Sequence, residues 1–223
     1  MLVAFLLVAI IWVSLINDVL DMSRIESGKI KIEEKENSLP EILHDLKTIV
    51  QADIISKQLD FYIDTVDVVN EHVLCDKPRL NQILLNLLSN AMKFTEPGGM
   101  VSVRIRQKRN APEGCAAYEF QVKDTGIGMS PEFLKHVFDP FERERTSTVS
   151  GIQGIRLGMA ITRNIVNMMG GTVSADSEVG KGTTFTVSLQ FRTCSDPVRQ
   201  ETIPELQGLQ ALVVDNDFNT VPA

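Results

Sequence analysis

Apolar residues between Asp76 and Thr95 recur at steps of three and four: Leu80, Ile83, Leu84, Leu87, Leu88 and Ala91. That period predicts a helix with one face against a core. Gln82, Asn86, Asn90 and Lys93 fall together on the opposite face. A solvated face is usually built from Lys and Glu, whereas two amides and an ammonium a turn apart have the chemistry to orient a metal and a polyphosphate. Taken alone, the helix leaves both readings open.

Upstream, residues 1–16 (MLVAFLLVAIIWVSLI) carry no charged side chain. The run is shorter than the roughly 20 residues that cross a bilayer comfortably, so a short or tilted anchor, an uncleaved signal-like segment and a buried helix of an oligomeric bundle are all open. LINDVLDMSRIESGKIKI then turns amphipathic, with Ile16, Val19, Leu20 and Ile25 on one side and Gly28 as a helix stop. Lys29 to Asn37 reads as a charged link, and Ser38-Leu39-Pro40-Glu41 as a capping box that starts a new helix. Leu39, Ile42, Leu43, Leu46, Ile49 and Val50 form its expected buried stripe, and His44 points away from it as a solvated histidine. FYIDTV (61–66) and HVLCD (72–76) read as strands.

Downstream the period changes to two. Val101, Val103 and Ile105, then Tyr118, Phe120 and Val122, alternate with polar residues, which predicts antiparallel strands with one wet face. The second strand runs into Asp124-Thr125-Gly126-Ile127-Gly128, whose glycines let backbone approach a ligand closely. PEFLKHVF predicts a short helix leading to Phe138-Asp139-Pro140-Phe141. A loop rich in Ser, Thr and charge follows, and Gly154-Ile155-Arg156-Leu157-Gly158 opens another helix with Ile161, Ile165, Val166 and Met169 inward. A helix N-terminus behind such a loop suits a phosphate. A final hairpin carries Phe185, Val187, Leu189 and Phe191 on one face, before a polar linker with Pro197 and Pro204 and a last apolar stretch, LQALVVDNDF.

Composition narrows the classes. The 223 residues, 43% hydrophobic, allow one sizeable domain with appendages. A net charge of -7 argues against a nucleic-acid binder, so any anion site is local. Cys75, Cys115 and Cys194 show no paired spacing, which fits a reducing, cytoplasmic compartment. Attachment at the inner face of the cell membrane rests on the apolar run alone.

Asn86/Asn90/Lys93, Asp124 to Gly128, Phe138 to Phe141, Gly154 to Gly158 and Gly180-Lys181-Gly182-Thr183-Thr184-Phe185 occur in that order. The set strongly resembles the N, G1, F, G2 and G3 boxes of the ATP-binding catalytic domain of sensor histidine kinases, and residues 36–192 match that domain. The resemblance implies an α+β fold: a two-layer α/β sandwich with a mixed, largely antiparallel sheet covered by helices on one face, preceded by an N-terminal helix. Residues 1–14 are then an apolar segment, a candidate membrane anchor. Residues 15–35 resemble the end of the family's second dimerisation helix plus linker, 193–208 a linker, and 209–223 a truncated receiver domain.

The same resemblance implies roles. Asn90 would coordinate Mg2+, with Asn86 and Lys93 helping to hold the ATP phosphates. Asp124 would accept the adenine amino proton, Gly126 and Gly128 would let the backbone pass the base, and Thr184 would support Asp124. Phe138 and Phe141 would anchor the loop over ATP, and Gly154, Leu157 and Gly158 would form the phosphate-facing helix start. ATPases of the gyrase, Hsp90 and MutL type carry a glutamate near the position of Asn86. An amide cannot take a proton from water, so transfer to a histidine is implied over hydrolysis.

The family's acceptor histidine is not matched, so the implied acceptor hairpin and response regulator lie on other chains, with a homodimer as a further candidate partner. Ile155 and Arg156 stand where the family has Thr and Gly, which implies weakened nucleotide binding. A catalytically silent nucleotide-binding or dimerisation module is the alternative.

Overall fold

A computed structural model describes residue 16, residues 19–24, residue 27, residues 31–140 and residues 157–194. The apolar run at 1–14, Phe141, Gly154, Ile155, Arg156 and the receiver-like end at 209–223 lie outside the described residues. The elements run β1 (Lys35–Ser38), α1 (Leu39–Lys57), β2 (Asp60–Val66), β3 (His72–Cys75), α2 (Lys77–Phe94), β4 (Met100–Lys108), β5 (Cys115–Asp124), α3 (Pro131–Leu134), α4 (Gly158–Met168), β6 (Thr172–Glu178) and β7 (Gly182–Thr193). Among the described residues, no helix is long and apolar enough to cross a membrane.

The strands form one sheet in the order β1-β3-β7-β5-β4-β2, with β6 paired to β7. Only the β2–β4 pairing is parallel among these, which makes the sheet mixed and largely antiparallel. Period-two alternation decides its faces. Val101, Val103, Ile105, Tyr118, Phe120, Val122, Phe185, Val187, Leu189 and Phe191 are buried beneath the helices, while Arg104 and Arg106 stand on the open face. The helices therefore cover one side of the sheet, and the two-layer sandwich is as expected.

α2 is the spine of the helical layer. Asp76 caps its start, with Oδ1 accepting from Arg79 N at 3.0 Å, while Oδ2 accepts from Glu33 N at 2.9 Å. Leu80, Ile83, Leu84, Leu87, Leu88, Ala91 and Met92 are buried. Each fully buried large aliphatic contributes about 1.5–3 kcal/mol, so this stripe alone explains why the helix docks.

Several local expectations need correction. The charged link ends in a strand: residues 35–38 pair antiparallel with β3 at the edge of the sheet, a position that tolerates charge because one side faces water. Ser38 occupies the N-cap of α1 but its side chain makes no capping bond, and Leu39 N donates to Glu71 O at 2.9 Å. Ile49 is 56% exposed, because it lies about 100° around the helix from buried Val50. The helix expected over 131–138 stops at Leu134. His44 is exposed, as expected.

α1 ends on Gln58, a non-glycine residue at φ 53° and ψ 43°, with Leu59 N donating to Ile54 O at 3.0 Å. A left-handed L-residue carries a steric penalty that glycine lacks, partly offset by glycine's greater unfolded-state freedom. Gln58→Gly should raise stability by about 0.5–1 kcal/mol, read as a higher urea midpoint with an unchanged slope.

Candidate functional site

Four segments meet at one edge of the helical layer: the polar face of α2, the loop after β5, the turn after α3 and the start of α4. The loop is organised by Asp124, the last residue of β5 and 4% exposed. Its Oδ1 accepts from Gly126 N at 2.8 Å and from Thr183 N at 3.2 Å. Burial pushes the carboxyl above the usual carboxylate range, and these two N–H bonds work against that rise. Both protein donors go to Oδ1, so among the described residues Oδ2 is left for a donor from outside.

The bond from the neighbouring strand comes from Thr183, whereas Thr184 was the expected support; this is a one-residue correction. Thr183 is buried on the same face as Phe185, while Thr184 turns to the other face and pairs with Lys123. Ser177 was missed as well. Its hydroxyl accepts from Met129 N at 2.9 Å, donates to Gly182 O at 3.0 Å and lies 2.9 Å from Thr183 Oγ1. It locks the loop onto β6 and β7.

Gly126 and Gly128 are demanded by the protein's own backbone. A Cβ on Gly126 would lie 2.5 Å from Phe94 O, and one on Gly128 would lie 2.0 Å from Glu178 O. The loop is wedged between the end of α2 and the β6–β7 turn, which requires glycine at both positions whether or not a ligand passes them.

On α2 the two amides divide. Asn86 Nδ2 donates to Gly158 O at 3.3 Å and to Thr162 Oγ1 at 3.4 Å, which ties α2 to the first turn of α4. The side chain of Asn90, one turn further along, makes no hydrogen bond among the described residues and is half-buried. Lys93 Nζ lies 5.5 Å from the Phe94 ring centroid. Gln82 is also engaged: its Nε2 donates to Asp21 Oδ2 at 2.9 Å, from a helical stretch at 19–24 that further meets α4 through Met22 and Asn164.

At α4, Gly158 is the first helical residue, so the helix opens where the glycine-bearing box placed its start, while the Leu157 side chain is 1% exposed and belongs to the core. Phe138 packs edge-on to Phe185 with centroids 6.1 Å apart, which anchors the turn after α3 to β7. Asp139 next to it pairs with His136 Nδ1 at 2.9 Å and accepts from Arg163 NH1 at 3.3 Å, and these partners hold its carboxyl below the usual range.

Chemically, the arrangement leaves one oxygen of a buried carboxylate open to an N–H donor and sets the amide-bearing face of α2 against the start of α4. Among the described residues no cluster of three His, Cys, Asp or Glu could hold a metal by itself.

A one-sided α/β sandwich with this opening defines the class: a nucleotide-binding ATPase-type domain. Residues 75–193 match the family described as histidine kinase-, DNA gyrase B-, and HSP90-like ATPase, and the chain belongs to that family. Over 212 residues, 92% of the chain, it is 32% identical to the autoinducer 2 sensor kinase/phosphatase LuxQ of Vibrio vulnificus, covering 24% of that protein. Over 202 residues, 88% of the chain, it is 39% identical to the circadian input-output histidine kinase CikA of Synechococcus elongatus, covering 25% of it. The crystal structure of full-length ShkA in complex with AMPPNP superposes with a TM-score of 0.70 at 29% identity, over 83% of this chain and 37% of that one. Within the family the chain falls with the ATPase domains of two-component sensor histidine kinases. It spans about a quarter of the length of these curated relatives.

Proposed function

We propose that the chain binds Mg-ATP between the polar face of α2 and the loop at 124–128 and transfers the γ-phosphoryl group to a histidine on another polypeptide. The observation that carries this reading is Asp124: one oxygen is held by Gly126 and Thr183 and the other is left over, which suits the amino group of adenine. Asn90 would be the protein's oxygen ligand for Mg2+, and Lys93 and the start of α4 would face the phosphates. Bound Mg2+ would offset phosphate charge. Asn86 acts by fixing α4 against α2. The ShkA structure, with its bound AMPPNP, supports the nucleotide assignment.

An amide at position 86 leaves no general base for water at that place, whereas a neutral imidazole needs none to attack phosphorus. The acceptor hairpin and a response regulator would be supplied by other chains. Ile16, Val19 and Leu20 are exposed at 53%, 50% and 46%, apolar side chains that support a homodimer through this segment. Weakening by Arg156, and a place at the inner membrane face through residues 1–14, stay part of the proposal.

Incubation with labelled ATP, with and without a separately supplied acceptor hairpin, tests it. Transfer to the hairpin, abolished in Asn90→Ala and requiring Mg2+, is the expected result. Binding without transfer would make the chain a silent nucleotide module, and absence of binding would overturn the assignment.

A further inference from the structure

The last four residues of α2, Ala91 to Phe94, each present a carbonyl that the end of a helix leaves without a continuing turn. All four are accounted for. Ala91 O accepts from Thr95 N at 3.1 Å and from Thr95 Oγ1 at 2.6 Å. Phe94 O accepts from Ile127 N at 3.2 Å, inside the loop that carries Asp124. The other two are taken by one side chain from far away in sequence. Lys57 Nζ donates to Met92 O at 2.6 Å and to Lys93 O at 3.2 Å, and reaches Thr95 O at 3.4 Å.

Lys57 is the last residue of α1 and is half-buried. Its corner is mortised to the corner after α2 by backbone bonds as well: Gly98 N donates to Gln58 O at 3.2 Å, and Asp60 N donates to Gly99 O at 2.9 Å. A cation among carbonyls at a helix C-terminus is favoured by the helix dipole and by charge-assisted hydrogen bonds. The ammonium stands one residue from Phe94 O, and Phe94 O is where the Asp124 loop attaches. The same carbonyl lies 2.5 Å from where a Gly126 Cβ would be, so a small shift of the helix end displaces the loop.

We propose that Lys57 is a positioning residue for the nucleotide site: its ammonium, held among the Met92, Lys93 and Thr95 carbonyl oxygens, fixes the end of α2 on which the Asp124 loop is built. The effect on nucleotide rests on the reading of the site given above; the effect on the loop does not. Lys57 acts through Phe94 and Ile127 and touches no substrate.

Two variants of the full chain test it. Lys57→Met keeps the aliphatic stem and removes the donor, and Lys57→Ala leaves room for a small cation. Both are expected to speed hydrogen exchange at the Ile127 amide and to raise the nucleotide dissociation constant by about tenfold, for ADP and ATP alike. Methylammonium should restore both readouts in Lys57→Ala and neither in Lys57→Met, while tetramethylammonium, which has no N–H to donate, should restore nothing. Unchanged exchange at Ile127 in both variants would overturn the proposal. So would faster exchange with unaltered nucleotide affinity, which would leave Lys57 a helix cap and no more, or equal rescue by tetramethylammonium. If the unmodified chain binds no nucleotide, the assignment of the site fails, yet exchange at Ile127 still decides whether Lys57 holds the loop.

Discussion

Gly182→Ala is expected to cost about 3–5 kcal/mol of stability and to remove nucleotide binding with it. Gly182 opens β7 at φ +99°, and a Cβ there would lie 2.0 Å from Asp124 O and 2.9 Å from Thr125 Cα. Those are backbone atoms of β5 and its loop, so relief requires separating β7 from β5 where Lys123 pairs with Thr184. The separation would also pull Thr183 N from Asp124 Oδ1. Gly180→Ala is the matched control: φ is +79° and nothing lies within 4 Å of the added carbon. It should show only the conformational penalty, about 1 kcal/mol. Urea unfolding of the two variants separates crowding from backbone strain, and near-equal losses would refute the close-approach argument.

Asp124→Asn should lower affinity for adenine nucleotides by roughly 10- to 100-fold while leaving the fold intact, since hydrogen bonds to charged groups contribute about 1.5–3 kcal/mol. Asparagine keeps an oxygen for Gly126 N and Thr183 N but offers the ligand an N–H donor or a weaker acceptor at the second position. Stability should respond in the opposite sense. Burial raises the carboxyl's folded pKa above its unfolded value of about 3.9, so its favourable contribution is fully present below that value and is lost as pH rises through the folded pKa. The variant does not titrate there. Its stability relative to the unmodified protein should therefore climb as pH is raised from about 4 toward neutrality, and leave the variant no less stable at pH 7. Urea midpoints across that range, with calorimetric titration of ADP, check both halves. Unchanged ADP affinity would remove Asp124 from the adenine pocket.

Regular burial made much of this protein legible. The stripe from Leu80 to Ala91 and the alternation from Phe185 to Phe191 placed α2 and β7 because a core imposes its period on whatever covers it. The same alternation, carried back two residues from Phe185, points to Thr183 as the inward threonine; reading Thr184 instead ignored that parity. β1 gave no such signal. It is four residues long, pairs through backbone at an edge and needs no apolar side chain, so composition could not distinguish it from a link. The start of α1 is similar: the orphan N–H of Leu39 found Glu71 O, a partner 32 positions away.

Period assigned Asn86 and Asn90 to one face of α2 and, with the glycine-bearing boxes around them, the family's chemistry to that face. Only the folded arrangement separated the two amides: Asn86 is held by Gly158 and Thr162, while the Asn90 side chain makes no hydrogen bond among the described residues. It alone brought Lys57 to the carbonyls of a helix that starts 20 residues later. The reason is physical. A repeat records which side of an element is dry, because hydrophobic burial depends only on that, whereas a hydrogen bond needs a named partner at about 3 Å, and tertiary packing decides which one arrives.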